Sequence, residues 1–221
     1  MTSLRRILAV AMLCVQTFQV AEGRIINAYE GGIQTARTSL KHLQAMPVTK
    51  EVRCHLEAVL DYIAHYILTE RLLDEFKRIS PSLFHAIDTI RDKRGRGVDV
   101  YIKFVSDAYL FPEGLKAATQ IDQRKHDRDA CYSKYGANSV AVTVLAKRNA
   151  LLMLAHEFGH ISYVVGNFEQ YVRLFVRRYR GHYLESWLWG HKPNDPSGQA
   201  ALAFEKIFQE EYSGNRVAIE E

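Results

Sequence analysis

The segment His156-Glu157-Phe158-Gly159-His160 lies inside a mostly apolar run that opens Ala150-Leu151-Leu152-Met153-Leu154-Ala155, and it constrains the chain more than any other feature. Asn149 is a helix-capping residue type, and Gly166-Asn167 is a stop signal, so the run is predicted to be one helix. Residues four apart share a helix face, which lets His156 and His160 offer two imidazole nitrogens to one zinc ion, with Glu157 turned one residue further toward a metal-bound water. Zinc brings the pKa of such a water toward neutrality, and a neighbouring carboxylate can take its proton and pass it to a leaving amine. With nine histidines and fifteen glutamates in 221 residues, random placement yields about 0.02 such patterns. The competing reading is a degenerate site, or two histidines satisfied within a core.

A catalytic zinc needs a third protein ligand and an open position. His182, His191 and Glu185 are available, but His182 and His191 each sit beside a glycine and a turn, and Glu185 has no polar partner four residues on. Glu211 is better placed: Phe204, Phe208, Glu211 and Asn215 follow helical spacing, which puts Glu211 on the expected buried stripe with an amide one turn beyond. Asn215 would then orient a metal-bound histidine from behind. Glu210, about 100° away round the same helix, is expected in solvent. A donor for the oxyanion is also needed, and His182, Tyr183, Tyr212 and His191 are candidates.

His156-Glu157-Phe158-Gly159-His160 together with Glu211-Tyr212-Ser213-Gly214-Asn215 resembles the gluzincin zinc metallopeptidases, over roughly residues 139–218. The resemblance implies Zn2+ held by His156, His160 and Glu211, with Glu157 as general base. It also implies an extended peptide held by strand addition along Ser139 to Leu145. Asn215 stands where the family more often has Asp, and the chain's length matches compact, minimal members. The metzincin continuation is excluded by Tyr163 and Gly166, and the glutamine and cysteine motifs of peptide deformylase are absent. The expected fold is α+β and zincin-like: a small mixed sheet, an active-site helix carrying the motif, and several further helices. The expected function is zinc-dependent hydrolysis of peptide bonds in a protein or peptide substrate. The alternatives are a catalytically silent zincin-fold binding or regulatory module, and a zinc hydrolase of a non-peptide amide.

Elsewhere the pattern is that of one globular domain. Val52, Leu56, Leu60, Ile63, Ile67, Leu72 and Phe76 predict a long amphipathic helix from Thr49 to about Ile79, and Ser80-Pro81 predicts a second running to about Arg91. Residues 93–97 read as a turn. Alternation at Val98, Val100, Ile102 and Phe104 predicts a strand, a second strand is expected at Ser139 to Leu145, and residues 24–47 read as an irregular or helical lead-in. The region around Asp122 to Asp129 reads as a surface loop. Helices are expected at about 168–180, at 183–189, and from about Gln199 past Glu211, after a loop marked by Pro193, Pro196 and Gly198. Arg173, Arg177, Arg178 and Arg180, interleaved with Tyr171, Phe175 and Tyr179, are expected to face solvent and would be the contact face of a binding module.

Arg5-Arg6, the apolar residues 7–15 and the small residues Ala21 and Gly23 have the layout of a secretory signal peptide over residues 1–23. The domain would then be 24–221, secreted or periplasmic, or cytoplasmic if the segment is not a signal. The apolar run is far shorter than the roughly 20 residues of a membrane span, so no stable membrane anchor is expected. Removal of residues 1–23 leaves Cys54 and Cys131, either one disulfide or two thiols. A formal charge of +4 is too small for a nucleic-acid footprint, and no nucleic-acid partner is expected.

Overall fold

The computed structural model describes residues 23–106, 116–120, 132–167, 170 and 195–220. Among these the chain forms strand β1 (Ile25–Asn27), helices α1 (Glu30–Gln44), α2 (Lys50–Ile79) and α3 (Pro81–Asp88), and strands β2 (Asp99–Val105) and β3 (Ala117–Gln120). The short strands β4 (Tyr132–Ser133) and β5 (Gly136–Ala137) follow, then β6 (Ser139–Leu145), α4 (Ala150–Gly166) and α5 (Pro196–Glu220). The main sheet has the order β1-β2-β6-β3: β1, β2 and β6 run parallel, and β3 pairs antiparallel with β6 at the edge. The architecture is α+β with a small mixed sheet, and no helix among the described residues is long and apolar enough to cross a membrane.

Alternation along β2 and β6 sends Val100, Ile102, Phe104, Val140, Val142 and Val144 to one face, where all are fully buried. The helices pack on that face through Leu73, Phe76, Ile79, Leu83, Ile87, Leu154, Phe158, Ile161 and Phe208. Phe76 joins three of them, its ring edge-on to Phe158 at 5.2 Å and stacked on Phe208 at 5.3 Å. Thr69, buried on α2, accepts the Phe104 N–H at 3.1 Å, tying the long helix to the sheet.

Helix α2 starts at the expected residue, with the Thr49 hydroxyl accepting the Val52 N–H at 3.2 Å. Its core contacts are made by Thr69, Leu73, Phe76 and Ile79, whereas Leu60 and Ile67 on the expected stripe are 46% and 56% exposed. On the same expected stripe Val52 and Phe76 are buried and Leu72 packs against the core. The lead-in is helical, holding the fifteen-residue α1, and begins with the unforeseen strand β1. Helix α3 ends at Asp88, short of Arg91. Gly198 is not in a loop: Pro196 occupies the first position of α5, and Asp195 caps it by accepting the N–H groups of Ser197 at 3.3 Å and Gly198 at 3.1 Å.

Gly23 is buried, and a Cβ there would fall 2.5 Å from the Ile90 carbonyl oxygen and 2.6 Å from that of Val98. Cys54 is exposed on α2. Cys131, the Asp122 to Asp129 region, the helices expected at 168–180 and 183–189 and residues 1–22 lie outside the described residues.

Candidate metal centre

Helix α4 follows β6 directly and is buried on most of its surface, including Leu154, Ala155, His156, Glu157, Phe158, Gly159 and Ile161. Its N-terminal turn is closed by the Asn149 carbonyl, which accepts the Met153 N–H at 2.9 Å, with no cap from the Asn149 side chain. Helix α5 runs antiparallel to it, because His156 meets Glu205, Gly159 meets Ala201 and His160 meets Ser197. The approach is close: a Cβ on Gly159 would lie 2.4 Å from Ala201 Cα and 2.5 Å from the Ala200 carbonyl oxygen. Only glycine permits that contact, so the glycine of the motif brings α5 up to the histidines.

The two imidazoles converge. His156 Nε2 and His160 Nε2 are 3.0 Å apart, with ring centroids 4.7 Å apart and the planes crossed at 79°. Each ring is held at its other nitrogen: His156 Nδ1 lies 2.5 Å from Glu205 Oε1, and His160 Nδ1 lies 2.8 Å from Ser197 Oγ. A carboxylate only accepts, so His156 Nδ1 carries a hydrogen, and in the neutral ring Nε2 keeps its lone pair. Ser197 can donate or accept, so it is compatible with either tautomer of His160. With its proton on Nε2, His160 donates to His156. With its proton on Nδ1, donated to Ser197, both ε lone pairs face the same point.

The second arrangement suits a cation. Two imidazoles bound to one zinc at about 2.0–2.1 Å in tetrahedral geometry have nitrogens about 3.3 Å apart, a few tenths of an ångström beyond the observed 3.0 Å. A carboxylate and a hydroxyl behind the rings are the partners that orient metal-binding histidines. The pair therefore fits two ligands of a zinc site. Among the described residues no group of three His, Cys, Asp or Glu side chains is placed to complete it.

Glu157 projects from the neighbouring position and is buried. Its Oε2 accepts from the Thr119 hydroxyl on β3, and the Thr119 backbone N–H bonds the same carboxylate. Burial pushes the carboxyl from an ordinary 4.5 up to about 7, against the opposing pull of the two Thr119 bonds.

Glu211 is not brought to the histidines. Its Oε2 accepts from the hydroxyl of Ser80, the buried residue between α2 and α3, which in turn leaves Ser80 without a capping bond to its own helix. The physical reason is helix phase. Glu205 faces His156, and Glu211 is six residues on, about 9 Å further along and about 120° round. The stripe of α5 that faces α4 is Ser197, Ala201 and Glu205, one position away from the expected set beginning at Phe204. Asn215 lies on α5, with its side chain outside the described residues. Tyr212 is exposed, its ring stacked on Phe208 at 6.2 Å. His182, Tyr183, Glu185 and His191 fall outside the described residues, as does the Arg173 to Arg180 stretch.

Strand addition on Ser139–Leu145 is also corrected: β6 is paired on both sides, with β2 and with β3, so among the described residues the sheet's edge strands are β1 and β3. Three residues the sequence reading missed contact the motif side chains: Glu205, Ser197 and Thr119. For the first two a signal existed, since Ser197, Ala201 and Glu205 repeat every four residues behind a cap at Asp195-Pro196.

Comparison with protein families, curated proteins and solved structures finds no match to this chain.

Proposed function

We propose that the chain is a zinc-dependent hydrolase of peptide bonds, with His156 and His160 as metal ligands and Glu157 as the group that holds and moves the proton. The observation that carries this reading is the convergence of two ε nitrogens at 3.0 Å, each ring fixed from behind by Glu205 or Ser197. Zinc held there would acidify a water for attack on a carbonyl. Glu157, buried one position on from His156, is the carboxylate placed to take that proton and pass it to a leaving amine. Thr119 fixes the direction of that carboxylate. Thr119 also belongs to β3, an edge strand among the described residues, so an extended peptide laid along β3 would pass beside Glu157. For the third metal ligand the sequence offers His182, Glu185 and His191 as alternatives to Glu211, which accepts from Ser80, while Glu205 is engaged with His156.

The test is peptide hydrolysis by zinc-loaded wild type beside Glu157→Gln at matched metal content. The expected loss in the variant is about 10²- to 10⁴-fold, and undiminished cleavage would remove Glu157 from the mechanism. A catalytically silent binding module is the second reading, favoured by the 3.0 Å separation itself, which is also the length of a direct N–H···N bond between the two rings. Failure of folded, zinc-loaded wild type to cleave any member of a peptide library would select it.

A further inference from the structure

A second polar constellation lies at the carboxyl end of β2, the end at which open sheets of parallel strands generally bind substrates, and the metal-site reading makes no use of it. Helix α2 runs back along β2 in matched steps. Thr69 bonds Phe104, and one helical turn earlier His65 meets Ser106, the residue after β2. Four residues of helix rise about 6 Å and two residues of strand about 6.6 Å, so the second contact follows from the first. Phe76, where α2 meets α4, lies three turns further on, about 16 Å along the axis.

Each group is held in a defined orientation. His65 Nδ1 lies 2.9 Å from the Asp61 backbone carbonyl and 3.3 Å from Asp61 Oδ2. A carbonyl only accepts, so Nδ1 carries the hydrogen and, in the neutral ring, Nε2 keeps its lone pair. That lone pair faces the Ser106 hydroxyl at 3.1 Å, and the Ser106 backbone N–H approaches it at 3.3 Å. The ring stacks on Tyr29, with centroids 5.8 Å apart and planes at 19°. Tyr29 is held in turn by Tyr62, edge-on at 5.2 Å, whose hydroxyl donates to the Tyr29 carbonyl at 2.8 Å. The His65 side chain is 12% exposed, whereas Ser106 is open to solvent. A hydroxyl, an imidazole able to take its proton and a group that orients the imidazole are the parts of an activated nucleophile.

We propose that Ser106 and His65 form a second, metal-independent site that takes acyl groups from carboxylic esters, with Asp61 as a positioning residue acting through the ring. Ser106 Oγ bonds to the ester carbonyl carbon and His65 Nε2 takes its proton. The C–O bond to the alcohol then breaks, the proton passes from His65 to that alcohol, and the acyl group stays on Ser106. Water, giving its proton to the same ring, hydrolyses the acyl-serine to a carboxylic acid and free Ser106. The test treats the full chain, with chelator present, with a fluorophosphonate and maps the adduct by mass spectrometry; the Ser106 O–P bond forms, P–F breaks and fluoride leaves. One adduct is expected at Ser106, absent in Ser106→Ala and formed about 10²- to 10⁴-fold more slowly in His65→Gln. Hydrolysis of p-nitrophenyl acetate should be lost in Ser106→Ala, an exposed position that keeps the test valid if His65→Gln does not fold. Asp61→Asn, at a side chain 70% exposed, should lower kcat for that ester with KM and unfolding midpoint unchanged; an unchanged kcat would overturn its positioning role. No adduct on Ser106 of folded wild type, adducts on tyrosines alone, or an equal labelling rate in folded His65→Gln would overturn the proposal and leave the pair as a tie between α2 and β2.

Discussion

Replacing Glu157 by Gln should stabilise the metal-free protein, and by an amount that depends on pH. The carboxyl is buried against α4 and β3, and its folded value of about 7 stands above an ordinary 4.5. At about 1.36 kcal/mol per pH unit, that difference is about 3 kcal/mol. For a raised acid the sign is fixed: below 4.5 the group is neutral in both states and costs nothing. Between 4.5 and about 7 the unfolded chain ionises first and wild type loses stability; above 7 the loss is complete and constant. The glutamine side chain is nearly isosteric, does not titrate and can still accept from the Thr119 hydroxyl, so the variant escapes the loss. Denaturant unfolding of both chelator-treated proteins from pH 4.5 to 8 gives the difference directly, since other titrating groups cancel. The difference should grow by about 3 kcal/mol across that window, equivalent to about 6–12 °C in Tm for a chain of this size. A difference that stays flat with pH would refute the assignment of Glu157 as a buried acid of raised pKa.

The remaining expectations follow from the same contacts. Glu205→Gln should weaken zinc binding about 10- to 100-fold by removing the carboxylate behind His156, whereas Glu211→Gln should leave zinc affinity unchanged; metal titration of both separates the two glutamates. Gly159→Ala should destabilise by about 1–3 kcal/mol despite alanine's better helix propensity, because its methyl group meets the α5 backbone; urea unfolding measures it. Thr119→Val should shift the midpoint of the Glu157 stability difference to higher pH, since the lost hydroxyl bond pulled the carboxyl downward; the same pH series reads it.

How much of this was legible depended on whether side chains carried a phase. The Val-Ala-Val-Thr-Val run of β6 and the alternation of β2 are strand patterns with few competitors, and the apolar run of α4 is too long for anything but a helix, so these elements lie at or near their expected bounds. Helix α5 was expected, but Ala200, Ala201 and Ala203 are compatible with any face, and the stripe from Phe204 through Phe208 to Glu211 packs on the core and on Ser80, not on the histidines. Burial of Ala201 against Gly159 is a tertiary event that rotates Glu205, not Glu211, to the histidines. Strand β3 reads Ala-Ala-Thr-Gln, with no period of its own, and becomes a strand by pairing with β6. Its Thr119 could not be linked to Glu157, 38 residues away, without that pairing.

The claim on which the rest depends is that His156 and His160 hold a metal. Zinc content of the purified full chain, wild type beside His156→Ala with His160→Ala, tests it most directly, with circular dichroism confirming that both are folded. The expected result is about one zinc per wild-type chain and none in the double variant. Folded wild type that takes up no zinc, or a double variant that keeps it, would contradict the claim and leave the paired rings as a hydrogen-bonded element of the core.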